Sequence, residues 1–170
     1  MTLVGAAFSS LNPIRNSCLA YGKDNMPFIS ITRLRIRSVR FLPAFAMDFL
    51  RTRRQVGSAS GFKGGAVLAD RRWTFWTSTA WDNQESMRRY MMSGSHRTTM
   101  PRLLDWCDEA SVVHWSQPDE GLPSWIDADK RMREGGRPSK VRNPSAEHAD
   151  LSYRSPRTLF AGPIRPTNSN

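Results

Sequence analysis

Between Phe28 and Gln117 the spacing of hydrophobic and polar residues alternates between a strand period and a helix period, in the order β-α-β-β-α-β. The first segment, Phe28 to Arg37, is rich in β-branched residues. In its second half Leu34 and Ile36 share one face, and Arg33, Arg35 and Arg37 the other. From about Phe41 the apolar positions change to helical spacing, with Leu42, Phe45, Ala46 and Phe49 forming a stripe and Pro43 tolerated in the first turn. That stripe should rest on the sheet. The small residues from Gly57 to Gly61 end this helix and lead into a strand from Phe62 to Ala69, whose Gly64-Gly65 pair marks a bulge or a close backbone approach.

Asp70-Arg71-Arg72 is too short for anything but a hairpin into the next strand, Trp73 to Trp81. There Trp73, Phe75, Thr77, Thr79 and Trp81 point one way, and Thr74, Trp76, Ser78 and Ala80 the other. A second helix opens at Asp82, with Glu85 placed as in a capping box, and Met87, Tyr90 and Met91 form its inner stripe. It stops near Ser93-Gly94. His96 to Leu104 reads as a kinked continuation or a short helix restarted at Pro101, with His96 at the bend. The last strand, Ala110 to Gln117, sets Val112 and His114 on one face and Val113 and Trp115 on the other.

This order predicts an α+β class, a ferredoxin-like split βαβ unit over residues 27–117. Its own two helices cover one face of the sheet, so the bare face is expected to meet a partner or a ligand. Residues 118–136 form a helical extension, with Ser124 and Asp127 as a second capping box and Trp125, Ala128 and Met132 as its stripe. Residues 137–170 are basic, Pro-rich and weakly apolar, which predicts a disordered tail. Residues 1–26 lack a secretory pattern and read as a disordered leader, with Met26 a candidate natural start.

The net charge of +10 raises the prospect of nucleic acid, but the arginines are dispersed and the third strand lacks the basic-Gly-aromatic RNA-binding pattern, so nucleic acid is not the expected partner. Two cysteines, Cys18 and Cys107, make no disulfide framework. The most apolar run, Phe41 to Leu50, is short and interrupted by Pro43 and Asp48, so no membrane span is expected and a soluble cytoplasmic protein is. His96, His114, Asp105 and Asp108 have no metal-ligand spacing, and phosphate-loop and serine-nucleophile signatures are missing.

The run Gly61-Phe62-Lys63-Gly64-Gly65, then Thr74-Phe75-Trp76-Thr77 through Trp81, then Met87-Arg88 to Ser93-Gly94-Ser95-His96 resembles the antibiotic biosynthesis monooxygenase superfamily, including the branch related to spheroidene monooxygenase. The resemblance spans Ile29 to Trp115. It implies a homodimeric α+β barrel, with two sheets face to face and a pocket in each protomer between sheet and helices. Members include cofactor-independent oxygenases of polycyclic phenols and heme-degrading enzymes. Where the heme-degrading members use an Asn, a Trp and a His, this chain carries Thr32, Tyr90 and Met100.

Oxygenation without a cofactor requires a base that deprotonates an acidic phenol or enol, and a pocket that excludes water. His96 is the candidate base, because imidazole titrates near neutrality. Trp76, Trp81 and Tyr90 are candidate walls for a hydrophobic aromatic or polyene substrate, and His114 a further contact. Arg33 and Arg35 would hold a carboxylate or phenolate if their face lines the pocket. No cofactor is the first expectation; the alternatives are heme ligated by His96 or His114, and a non-catalytic module binding a small ligand or nucleic acid.

Overall fold

The computed structural model describes residues 26–157 and 160–167; the expected leader lies outside them, apart from Met26. The chain runs β1 (Phe28–Ile36), α1 (Leu42–Gly57), β2 (Phe62–Asp70), β3 (Thr74–Trp81), α2 (Gln84–Met91), α3 (Gly94–Trp106), β4 (Cys107–Ser116), α4 (Trp125–Gly135), β5 (Arg137–Pro138) and β6 (Phe160–Ile164). Six strands form one sheet in the order β5-β4-β1-β3-β2-β6, antiparallel throughout. The inner four, β4-β1-β3-β2, have the ferredoxin-like order expected of the split βαβ pattern.

Cross-strand register sorts the side chains into two layers. One row places His114, Ser30, Thr79 and Gly65 side by side; the next places Val112, Thr32, Thr77 and Val67; a third, Ala110, Leu34, Phe75 and Ala69. These rows face α1, α2 and α3, and the alternate residues face away from them. The Gly64-Gly65 expectation holds on both counts: the ladder shifts register between Phe62 and Gly64, and a Cβ on Gly65 would lie 2.7 Å from the Ser78 carbonyl.

The second helix is capped one residue later than expected. Asp82 is still held by the sheet, its N–H donating to the Gly61 carbonyl, while Asn83 Oδ1 accepts the Ser86 N–H at 2.9 Å. The following stretch is a separate helix, α3, entered through Gly94 at φ +50° and carrying Pro101 in its interior.

The largest departure concerns the outer face. It is covered by the chain's own C-terminal part: Ala128 and Met132 of α4, with Leu151 and Tyr153, pack on Ile29, Ile31, Leu68, Trp76, Ala80 and Val113. The segment after Gly135, expected as a disordered tail, adds β5 to one sheet edge and β6 to the other, and docks through backbone bonds such as Ser145 N–H to Asp108 O and Thr167 N–H to Gly57 O. Its apolar residues are sparse, but Leu151, Tyr153 and Ile164 are buried on surface that would otherwise face water. A homodimer with the two sheets face to face would require this cover to move. Among the described residues, no helix is long and apolar enough to cross a membrane.

Candidate functional site

Between the inner sheet face and α1–α3 lies a cavity of about 500 Å³. Its floor is the row of Thr32 and Thr77 flanked by Ser30, Thr79 and His114, so an apolar enclosure receives a strip of neutral hydroxyls. Leu42, Phe45, Ala46 and Phe49, the predicted stripe of α1, form one wall, and Met87, Tyr90, His96 and Met100 from α2 and α3 another. Thr32, Tyr90 and Met100 all line it.

Aromatic contacts run from Trp81 to His96. Trp81 lies 5.3 Å from Tyr90 between ring centroids, and Tyr90 4.8 Å from His96. The Trp81 indole N–H donates to Thr79 Oγ1 at 3.0 Å, which fixes the indole along the floor. Tyr90 donates its hydroxyl to the Thr52 carbonyl, and burial pushes its pKa above the ordinary phenol value.

His96 is held from two directions. Its backbone N–H donates to Gln55 Oε1 at 2.9 Å, and its Nδ1 lies 3.1 Å from the Met91 carbonyl. A carbonyl oxygen only accepts, so Nδ1 carries the proton and Nε2 is the basic nitrogen. Burial lowers the imidazole pKa from its ordinary 6.5, against a smaller upward pull from the Met91 carbonyl. A neutral imidazole with a directed lone pair is the form a general base needs at pH 7. Gln55 escaped the sequence reading because its partners, Ser93 and His96, are about forty residues distant along the chain.

His114 also lines the cavity, 5.7 Å from the Phe28 ring, and its pKa is lowered by burial and by Arg137. The two arginines do not join it. Both lie on the outer face, where Arg33, 5% exposed, pairs with Glu109 and stacks 3.8 Å over Tyr153. Arg35 makes a fork on Asp108 at 2.8 and 2.9 Å. Neither is free to anchor a substrate anion in the cavity. Trp76 borders the cavity floor, but its indole belongs to the outer layer, edge-on to Tyr153 at 5.8 Å. Among the described residues no three His, Cys, Asp or Glu side chains are grouped as metal ligands would be.

Trp73, 51% exposed, and Phe160, 69% exposed, stand with Arg53 at the cavity's mouth, between α1 and the β2–β3 hairpin tip beside β6. The tip is a tight turn closed by Thr74 N–H to Arg71 O, with Arg72 at φ +56° and Trp73 at φ +59°. Positive φ at both central residues is the type I′ geometry, which Asn-Gly satisfies best. Holding bulky residues there costs on the order of 1 kcal/mol each.

No protein-family model matches the sequence, and no curated protein does. Among solved structures the chain is similar to a Nitrosomonas europaea protein described as a candidate antibiotic biosynthesis monooxygenase, at TM-score 0.51 and 13% identity, covering 56% of this chain and 94% of that one. It is also similar to a mutant of SnoaB, a cofactor-independent oxygenase from Streptomyces nogalater, at TM-score 0.47 and 15% identity, covering 58% and 98%. A protein of unknown function from Nitrosomonas europaea follows at TM-score 0.49 and 13% identity, covering 59% and 98%. The first of these likenesses confirms the fold expected from the sequence: over its sheet and flanking helices the chain shares the fold of that Nitrosomonas europaea protein.

Proposed function

We propose that the cavity is the active site of a cofactor-independent monooxygenase acting on a hydrophobic aromatic or polyene molecule that bears an acidic phenolic or enolic group. The observation that carries this reading is His96: a buried imidazole whose Nδ1 proton is committed to the Met91 carbonyl, beside an apolar cavity with a floor of hydroxyls. In the mechanism, Nε2 takes the acidic proton, and the hydroxyls of Thr32 and Thr77 donate to the oxygen on which negative charge develops. The resulting anion is electron-rich enough to reduce dioxygen by one electron; the radical pair combines to a peroxide that takes back the proton from Nε2, and loss of water with the hydrogen on the same carbon breaks the O–O bond and leaves a carbonyl on the substrate, within walls that exclude solvent. The similarity in fold to a monooxygenase-like protein supports the reading without choosing the substrate.

Oxygen uptake with a panel of polycyclic phenols and enolised polyenes tests the proposal, comparing wild type with His96→Asn. The asparagine amide can still donate to the Met91 carbonyl but offers no basic nitrogen. Turnover is expected to fall about 10²- to 10⁴-fold with the melting temperature little changed. Undiminished turnover in the variant would remove His96 from the chemistry. A stoichiometric Soret band on hemin titration, shifted in the variant, would transfer the site to heme binding.

A further inference from the structure

The arginines that look dispersed along the sequence are gathered by the fold. β1 ends, β2 ends, and β3, β4 and β6 begin at the same edge of the molecule, since Ile36 pairs with Cys107, Arg35 and Asp70 with Thr74, and Ala69 with Phe160. That end carries Arg37 and Arg40 just after β1, Arg71 and Arg72 in the hairpin tip, and Arg157, whose backbone N–H donates to Asp70 Oδ1. Asp105 pairs with Arg142 and Asp108 with Arg35, so Asp70, whose Oδ1 takes the backbone N–H groups of Arg71 and Arg157, is outnumbered by the five arginines. Amid this positive field Val39, Trp73 and Phe160 are 63%, 51% and 69% exposed, and the last two stand at the cavity's mouth.

We infer that this end of the sheet docks on an anionic lipid bilayer and presents the cavity mouth to it, so that an apolar substrate passes from the membrane into the site. The substrate half of this statement rests on the reading of the cavity proposed above; the docking half does not. Arginines are attracted to anionic headgroups, while an indole and a phenyl ring enter the boundary between headgroups and acyl chains. Val39 and the apolar opening have no counterpart in a base-stacking surface, which is why a bilayer fits better than a nucleic acid. The turn geometry agrees. Arg72 and Trp73 occupy left-handed positions where Asn and Gly would be more stable, and such strain persists where the side chains themselves are needed.

Arg72→Asn/Trp73→Gly separates a docking role from a structural one, because it installs the pair the turn prefers while deleting a charge and the indole. Co-sedimentation of the full chain with phosphatidylcholine vesicles, and with vesicles containing about a third phosphatidylglycerol, reads the partner. Wild type should bind the anionic vesicles about tenfold or more tightly than the neutral ones, weaken with salt, and show a blue shift in tryptophan emission. The double variant should lose about tenfold in binding and the blue shift, with no fall in melting temperature. Absence of vesicle binding, or equal binding by the variant, overturns the inference. So does binding to a single-stranded oligonucleotide without binding to vesicles. Vesicle binding without oxygen uptake would sink only the proposed chemistry, and oxygen uptake from dispersed substrate without vesicle binding would sink only the docking.

Discussion

The two faces of this sheet are made by the same strands and solve different problems. β3 sends Phe75, Thr77 and Thr79 to the cavity and Trp76 and Ser78 to the opposite layer. On the cavity face the polar groups are mostly neutral hydroxyls beside open volume, available to a ligand. On the outer face they are charges closed under a cover, with Arg33, Arg35, Glu109 and Asp108 paired among themselves and Ser145 Oγ donating to Glu109 Oε1. Buried side-chain atoms without a hydrogen bond among the described residues, such as Arg33 Nε, Trp76 Nε1, Ser78 Oγ and Tyr153 Oη, also belong to the outer layer. The contrast teaches that position on one sheet does not set a polar residue's role. What packs on it does.

Removing one partner of the buried pair should break the outer face first. Glu109→Ala leaves Arg33 uncompensated and takes one carboxylate from Arg35, and is expected to cost about 3–5 kcal/mol in denaturant unfolding, whereas Arg33→Met/Glu109→Leu should recover part of that loss, since Arg35 keeps Asp108. A small loss in the single variant would show that water reaches the pair. On the cavity face, Thr77→Val deletes a hydroxyl without a side-chain partner among the described residues. Stability should change by under about 0.5 kcal/mol, while a phenolic ligand binds about fivefold more weakly in calorimetry. Equal binding by wild type and variant would mean that the floor hydroxyls are not used.

The smallest effect expected is on pH dependence. His96 and His114 have folded pKa values below the ordinary 6.5, so the unfolded chain binds protons more readily than the folded one. Their contribution to stability is full above pH 6.5 and is lost as pH falls toward the lowered folded values. Melting temperature should therefore decline on that acid side, less steeply in His96→Asn, and the rate should decline there too as the base becomes protonated. A variant profile that matches wild type would relieve His96 of this linkage.

Most of the inner site was legible because the signals are local. The break before His96 follows from Ser93-Gly94, and Trp81, Tyr90, His96 and His114 do converge on one cavity. Asn83 displaced Asp82 as the cap because a pairing with Gly61 keeps Asp82 in the sheet, a contact some twenty residues away along the chain. Arg33 and Arg35, expected at the site if their face lined the pocket, lie across the sheet from it, and Trp76 borders the floor while its indole packs in the outer layer.

By itself the sequence determined the order of elements from Phe28 to Gln117, the hairpin, the bulge at the glycine pair and which residues share a face, because periodicity and turn chemistry act over a few residues. Alternation is symmetric, however: it separates two faces without saying which one the helices will roof. Tertiary structure decided that, and with it the fate of the arginines, the burial of the other face under α4 and residues 139–157, and the meeting of five arginines at one end of the sheet. Those outcomes depend on contacts between segments far apart in the chain, where sparse apolar residues such as Leu151 and Tyr153 gain their energy from a surface made elsewhere.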